Sequence, residues 1–185
     1  EATLRDDLPI ILEYAKSLNF KDMKIMTNGL RLSYISYLNK LVKSGLNQIA
    51  FSLHGSTEKI HDSHTYYRGS FNLIMKAINN TLKYGDKLRV ELNVVVTKHN
   101  LADLENIAKL ALRKNIKDIH FQLIVPNSPE NKNLQPKIDD LRTHIIALIE
   151  KYGRKISGLT FGFMPFCYFK KDYSDYFVRF DFTTK

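Results

Sequence analysis

The sequence predicts an α/β fold, and three observations carry that prediction. Segments with helical apolar spacing alternate with short strand-like apolar segments along most of the chain. The connections between them are short and rich in Asn, Ser, Thr and Gly, and the run 88–96 contains the β-branched triplet Val94, Val95 and Val96. Alternation of this kind implies parallel strands joined by right-handed crossovers, as a barrel or as an open doubly wound sheet. The composition fits: 185 residues with 44% apolar content supply one substantial core, and 25% charged with 11% aromatic residues exclude a disordered chain. No apolar run reaches the roughly 18 residues needed to cross a bilayer, so no membrane partner is expected.

The elements follow in order. Leu8, Ile11, Leu12, Ala15 and Leu18 recur at helical spacing after Asp7, and Asn19 supplies a stop. Residues 23–26 read as a strand that meets the turn formers Thr27, Asn28 and Gly29. Ser33 is the expected cap of a helix bearing Ile35, Leu38, Leu41 and Val42 that stops at Gly45. A strand over 48–53 precedes the polar turn His54-Gly55-Ser56. Ser70 opens a helix through Ile74, Ala77, Ile78 and Leu82 that ends near Gly85, and the 88–96 strand follows. Asn100 starts a helix with Leu101, Leu104, Ile107, Ala108, Ala111 and Leu112 on one stripe, and residues 119–125 form a strand bounded by Pro126. Residues 127–136 read as a polar, Pro-bounded linker before a helix through Leu141, Ile145, Leu148 and Ile149, and residues 159–164 suggest a last strand. The expected division is a barrel-like part over 1–152 and a last strand with C-terminal extension over 153–185.

The formal charge of +9 admits a polyanionic partner such as RNA, but the 28 cations are dispersed along helical segments, where a solvated face accounts for them. Cysteine constrains more. Cys167 stands alone, which excludes an internal disulfide framework and a self-contained thiolate cluster, and fits a reducing, cytoplasmic setting. The chain starts at Glu1 with no signal segment before its first helical pattern, so a piece of a longer protein is expected.

In either α/β architecture chemistry collects where strands end, because the loops toward helices converge at one rim. Those positions hold Glu1-Ala2-Thr3-Leu4, Ile25-Met26-Thr27-Asn28-Gly29, the stretch from Ile49 to Gly55 that includes Ser52 and His54, Asn93 to Val96 with Asn100, and Gln122 with Pro126. As an ordered set they resemble the strand ends of the radical S-adenosylmethionine (radical SAM) enzymes, over about residues 1–130. The resemblance implies a partial (β/α)6 TIM-like barrel whose first strand and cluster loop would lie upstream of Glu1. It also implies two cofactors, S-adenosylmethionine and a [4Fe–4S] cluster held by three cysteines spaced Cys-x3-Cys-x2-Cys. In the family an electron from that cluster cleaves S-adenosylmethionine, and the resulting 5′-deoxyadenosyl radical takes hydrogen from a substrate.

By the resemblance Glu1 meets the methionyl ammonium, Ser52 touches the ribose or methionyl carboxylate, and Thr27, Asn28, His54, Asn93 and Gln122 complete the cofactor-binding set. Each also has a plainer reading: Glu1 favours a helix start, Thr-Asn-Gly is an ordinary turn, and Ser52 and Asn93 satisfy backbone. Ala2 stands where the family usually has Pro, the fifth-strand pattern beside adenine lacks its Gly, and the three cluster cysteines are absent. The expected activity is hydrogen abstraction from an unidentified peptide, RNA base or small molecule, with an external electron donor.

Two rival classes remain open in the residues. His54, His61 and His64 with Asp62 gather metal-ligating types as in a metal-dependent hydrolase or lyase, although their spacing is not that of a known site and hydrogen bonding explains them as well. A cluster-less module for a polyanion is the other. Cys167 reads as a buried small hydrophobe or, by the resemblance, as the first ligand of an auxiliary cluster. The aromatic-rich tail over 168–182, with Lys170, Lys171 and Arg179, suggests a docking segment.

Overall fold

The computed structural model describes residues 1–178. Its elements are helix α1 (Leu8–Ser17), strand β1 (Lys24–Thr27), α2 (Ile35–Lys43), β2 (Gln48–Ser52), α3 (Glu58–Thr65), α4 (Ser70–Leu82), β3 (Arg89–Val96), α5 (Leu104–Arg113), β4 (Asp118–Leu123), α6 (Pro129–Asn133), α7 (Ile138–Tyr152) and β5 (Gly158–Gly162). The strands form one sheet in the order β1-β2-β3-β4-β5. The pairs β1–β2 and β4–β5 run parallel, as the helix between each pair of strands requires. This is the α/β alternation expected from the sequence. The chain falls into two compact units, Glu1–Leu92 and Asn93–Lys185.

In the first unit Ile25, Ile49, Phe51 and Leu53 turn one strand face toward Leu38, Leu41, Ile74 and Ile78, all nearly or fully buried. The helix stops are those the sequence suggests. Asn19 and Gly45 end their helices in the left-handed conformation, with φ 64° and 113°. Gly29, at φ 78°, is more constrained: a Cβ there would lie 3.0 Å from Ile74 Cγ1 and 3.1 Å from Phe51 Cδ1. A larger residue would push the strand end away from its helices.

Three local readings are corrected. Ser33 does not cap α2; its hydroxyl donates to the Leu30 carbonyl at 2.7 Å inside a short 3-10 turn, and Tyr34 holds the cap position. Asn100 likewise starts only a 3-10 turn. Its side chain accepts from the Thr97 amide and donates to the Val95 carbonyl, both at 2.8 Å, which closes the end of β3 before α5 begins at Leu104. Residues 58–65, to which the sequence assigns no element, form α3, capped by Thr57, whose Oγ1 accepts from the Ile60 amide. Low apolar content hid that helix, since only His61 in it is buried.

The second unit repeats the layering. Ile119 and Phe121 on β4 and Leu159 and Phe161 on β5 face the helices, and the Phe121 and Phe161 rings stack with centroids 5.7 Å apart. Across α5 and α7, Glu105 meets Lys109, Lys151 and the Tyr152 hydroxyl. The lysine bonds lower its carboxyl to about 2. Part of the expected linker is helical, because Ser128 caps α6 through Asn131 N and Pro129 suits its first position. Of the aromatic tail, residues 179–182, including Arg179, lie outside the described residues. Among the described residues no helix is long and apolar enough to span a membrane.

Candidate functional site at the strand ends

Glu1 is tied to the end of β1. Its Oε1 accepts from Thr3 N at 3.1 Å, Thr3 Oγ1 at 2.6 Å and Thr27 Oγ1 at 2.7 Å, and its Oε2 accepts from Asn28 N at 2.8 Å. The plain helix-start reading is therefore part of the truth: the carboxylate caps the short 3-10 turn over Ala2–Leu4. It also reaches 26 and 27 residues along the chain, which no local cap does. Burial works to raise the Glu1 carboxyl, but bonds from the Asn28 amide, Thr3 and Thr27 outweigh it and hold the group below the ordinary glutamate range.

Behind Glu1 stand residues that the motif reading missed. Thr3 is fully buried, and its carbonyl accepts from Arg31 Nη1 at 2.7 Å and from the Tyr37 hydroxyl at 3.0 Å. Arg31 lies over the Tyr37 ring, 4.4 Å from its centre. Thr27, 2% exposed, passes the network on, because its Oγ1 also accepts from Gly29 N at 3.0 Å. Asn28 Oδ1 accepts from Leu30 N at 3.1 Å, so this side chain shapes the loop. The Thr-Asn-Gly turn thus does local work and positions Glu1 as well. Only the Thr3 hydroxyl, two residues from Glu1, left a signal in the sequence.

Ser52 ends β2, half-buried, and its hydroxyl makes no hydrogen bond with a described residue. Next to it the three histidines form a stack. The His54 ring lies 4.6 Å from that of His64 and 5.9 Å from that of His61, with near-parallel planes, and the His54 amide donates to His61 Nδ1 at 3.1 Å. Burial, then the neighbouring imidazoles, lower His54 to about 3; burial likewise lowers His61 to about 4, against the attraction of Asp62. These rings are neutral near pH 7. Stacked rings do not converge their nitrogens on a common point, and Asp62 is otherwise engaged. It accepts from Gly69 N, from Ser70 Oγ at 2.8 Å and from Phe71 N at 2.8 Å, and so caps α4. Among the described residues no group of three or more His, Cys, Asp or Glu side chains is placed to hold a metal.

In the second unit Asn93 is 5% exposed on β3, and Gln122 is half-buried on β4. The Gln122 side chain makes no hydrogen bond with a described residue. Cys167 is exposed, contrary to its reading as a buried hydrophobe, because it lies in a surface 3-10 turn over Phe166–Tyr168.

Three comparisons with known proteins bear on these strand ends. The family described as the Radical SAM superfamily matches residues 1–111. A probable GTP 3′,8-cyclase of Saccharolobus islandicus is 31% identical over 157 residues, which is 85% of this chain and 48% of the relative. A 7,8-dihydro-6-hydroxymethylpterin dimethyltransferase of Methanocaldococcus jannaschii is 32% identical over 127 residues, covering 66% of this chain and 24% of the relative. In structure, Streptococcus suis SuiB bound to S-adenosylmethionine is similar with a TM-score of 0.63 at 17% identity, over 84% of this chain and 35% of SuiB. The chain belongs to the radical SAM superfamily of enzymes. It spans about half the length, or less, of the curated relatives it matches.

The superfamily implies S-adenosylmethionine and a [4Fe–4S] cluster, and the residues fit these two groups differently. Glu1 is an ionised carboxylate whose Oε2 accepts one bond, leaving a lone pair for an ammonium. Ser52 offers a hydroxyl with no internal partner among the described residues. These suit a zwitterionic, ribose-bearing ligand. The cluster is not supplied with ligands here, because one cysteine cannot provide three thiolates.

Proposed function

We propose that this chain is the S-adenosylmethionine-holding part of a radical SAM enzyme. The observation that carries the reading is the Glu1 carboxylate, fixed by four donors at the end of β1 with capacity left on Oε2. Glu1 would accept from the methionyl ammonium, and Ser52 would donate to the methionyl carboxylate or accept from a ribose hydroxyl. Thr27 and the Asn28 backbone amide orient Glu1, and the Thr27 hydroxyl, already bonded to Glu1 and Gly29, has little left to give a ligand. His54, Asn93 and Gln122 belong to the cofactor-binding set by resemblance to the family.

When bound, the cluster supplies the electron for cleavage of S-adenosylmethionine; its ligands are expected in sequence beyond these 185 residues. The curated relatives make a purine nucleotide the substrate class to test first, since the S. islandicus relative is named for GTP. The network around Glu1 prepares the site before any ligand arrives. Hydrogen bonds that lower a carboxyl keep it charged, and a fixed charge costs no reordering when the ammonium binds.

The test is calorimetric titration of S-adenosylmethionine into the longest native protein that carries this chain. Glu1→Gln, which keeps the shape and removes the charge, is expected to weaken binding at least tenfold, with the melting temperature changed by only a few degrees. Equal affinity in the two proteins would refute the reading.

A further inference from the structure

The turn that carries Glu1 is too short to hold its own shape. It spans only Ala2–Leu4, and its internal bonds are long: Leu4 N donates to the Glu1 carbonyl at 3.3 Å and Arg5 N to the Ala2 carbonyl at 3.2 Å. No apolar anchor compensates, because Leu4 is 67% exposed and Thr3 is the one buried residue of the turn.

The shortest bonds to the turn's backbone come from far along the chain. Arg31 Nη1, 28 residues on, donates to the Thr3 carbonyl at 2.7 Å, and the Tyr37 hydroxyl, 34 residues on from Thr3, donates to the same oxygen at 3.0 Å. A carbonyl oxygen has two lone pairs, and these donors take both. From its other polar atoms, N and Oγ1, Thr3 donates to Glu1 Oε1. Thr3 is thus a buried joint with Arg31 and Tyr37 on one side and the carboxylate on the other.

The two donors also hold each other. The Arg31 guanidinium lies over the Tyr37 ring, and both side chains are half-buried. Burial raises the Tyr37 phenol above its ordinary value, so the hydroxyl remains a donor at neutral pH. Arg31 opens a 3-10 turn tied back to the Gly29 carbonyl by Leu32 N at 3.0 Å. Thr27 and Asn28 at the start of that loop donate to Glu1, and Arg31 at its end donates to Thr3. The loop and the turn therefore clasp each other at two points. Asp6, its side chain 99% exposed and 3.8 Å from Arg31 Nη1, is too loosely placed to draw the guanidinium away.

We infer that Arg31 and Tyr37 are positioning residues that set this protein's preference for an amine-bearing ligand, by fixing through Thr3 where the Glu1 charge sits. The inference rests on the reading that Glu1 meets the methionyl ammonium, and it assigns the residues that make that meeting selective. Neither side chain touches the ligand. A hydrogen bond weakens steeply as its distance and angle drift, so a loosened carboxylate loses the ammonium while the rest of the ligand is unaffected. Two signatures follow: a loss confined to ligands with the amine, and no additivity with Glu1.

Titration of S-adenosylmethionine, and of its deaminated analogue with hydrogen in place of the amino group, into the longest native protein tests both. Arg31→Ala is expected to weaken S-adenosylmethionine about fivefold, a coupling within the range of groups in one hydrogen-bond network. Tyr37→Phe keeps the ring under Arg31 and is expected to cost about threefold, the scale of one neutral hydrogen bond. Both variants are expected to bind the deaminated analogue as the wild type does, and Arg31→Ala is expected to cost nothing further in a Glu1→Gln background. Equal weakening of the two ligands, or a full Arg31→Ala loss in the Glu1→Gln background, overturns the inference by making the role merely structural. So does unchanged S-adenosylmethionine binding in both single variants while Glu1→Gln is weakened. A Glu1→Gln protein that binds S-adenosylmethionine as the wild type does sinks the cofactor reading itself.

Discussion

Glu1 and Asp62 are both carboxylates of the first unit, both collect several donors, and both are held below their ordinary range against the opposing effect of burial. They differ in what the donors join. Asp62 bonds Gly69, Ser70 and Phe71, three consecutive residues at one helix start, so its lone pairs finish a cap. Glu1 bonds its own turn and a strand end 26 residues away, with Oε2 accepting once. A lowered carboxyl by itself therefore does not mark a ligand site. On the proposed reading it is the reach of its bonds that does, since each carboxylate keeps one oxygen that accepts only once.

That contrast predicts opposite phenotypes. The largest effect is expected for Glu1→Gln: at least tenfold weaker S-adenosylmethionine binding with little change in stability. Asp62→Ala is expected to reverse the pattern. Losing a charged cap of α4 costs about 2 kcal/mol, read as a lower urea midpoint at constant slope, while the folded protein keeps its S-adenosylmethionine affinity. Ser52→Ala is expected to weaken the same ligand about threefold, the scale of one neutral hydrogen bond, without changing the urea midpoint. Were Asp62→Ala to spare stability and abolish ligand binding, the two carboxylates would have to exchange roles.

Acid sharpens the comparison further. His54 and His61 have folded values of about 3 and 4 against an ordinary 6.5, so between those limits the unfolded chain holds more protons and stability falls as pH drops below 6.5. Glu1 and Asp62 act in the same direction lower down, below about 4.5 and 3.8, where their unfolded carboxyls begin to protonate. Stability is thus fully present above pH 6.5 and is lost progressively on acidification. Urea midpoints between pH 7 and 4 are expected to show a shallower decline in His61→Gln than in the wild type. A parallel decline would mean that His61 titrates alike in both states.

Much of the fold was legible because the core-facing residues keep a regular period. Val90, Leu92, Val94 and Val96 alternate along β3, and Leu104, Ile107, Ala108 and Ala111 stripe α5. Helix α3 was not legible, since it packs through His61 and is fixed by Thr57 and by the loop it supports. At the strand ends, Glu1, Thr27 and Asn28 were found as a set, but their mutual bonding was not, because no spacing rule links residues 26 apart. The histidines looked like metal ligands by type. Instead the His54 and His64 rings stack, and Asp62 is engaged in a cap of α4. The contact between His120 and Thr160 was not legible, because the two meet only through the register of β4 on β5.

The central claim is that the Glu1 charge, and not its shape, holds the methionyl ammonium of S-adenosylmethionine. Titration of S-adenosylmethionine and of its decarboxylated, still amine-bearing analogue into wild type and Glu1→Gln measures this most directly. The account predicts that both ligands weaken at least tenfold in the variant. An undiminished affinity for either one would contradict it.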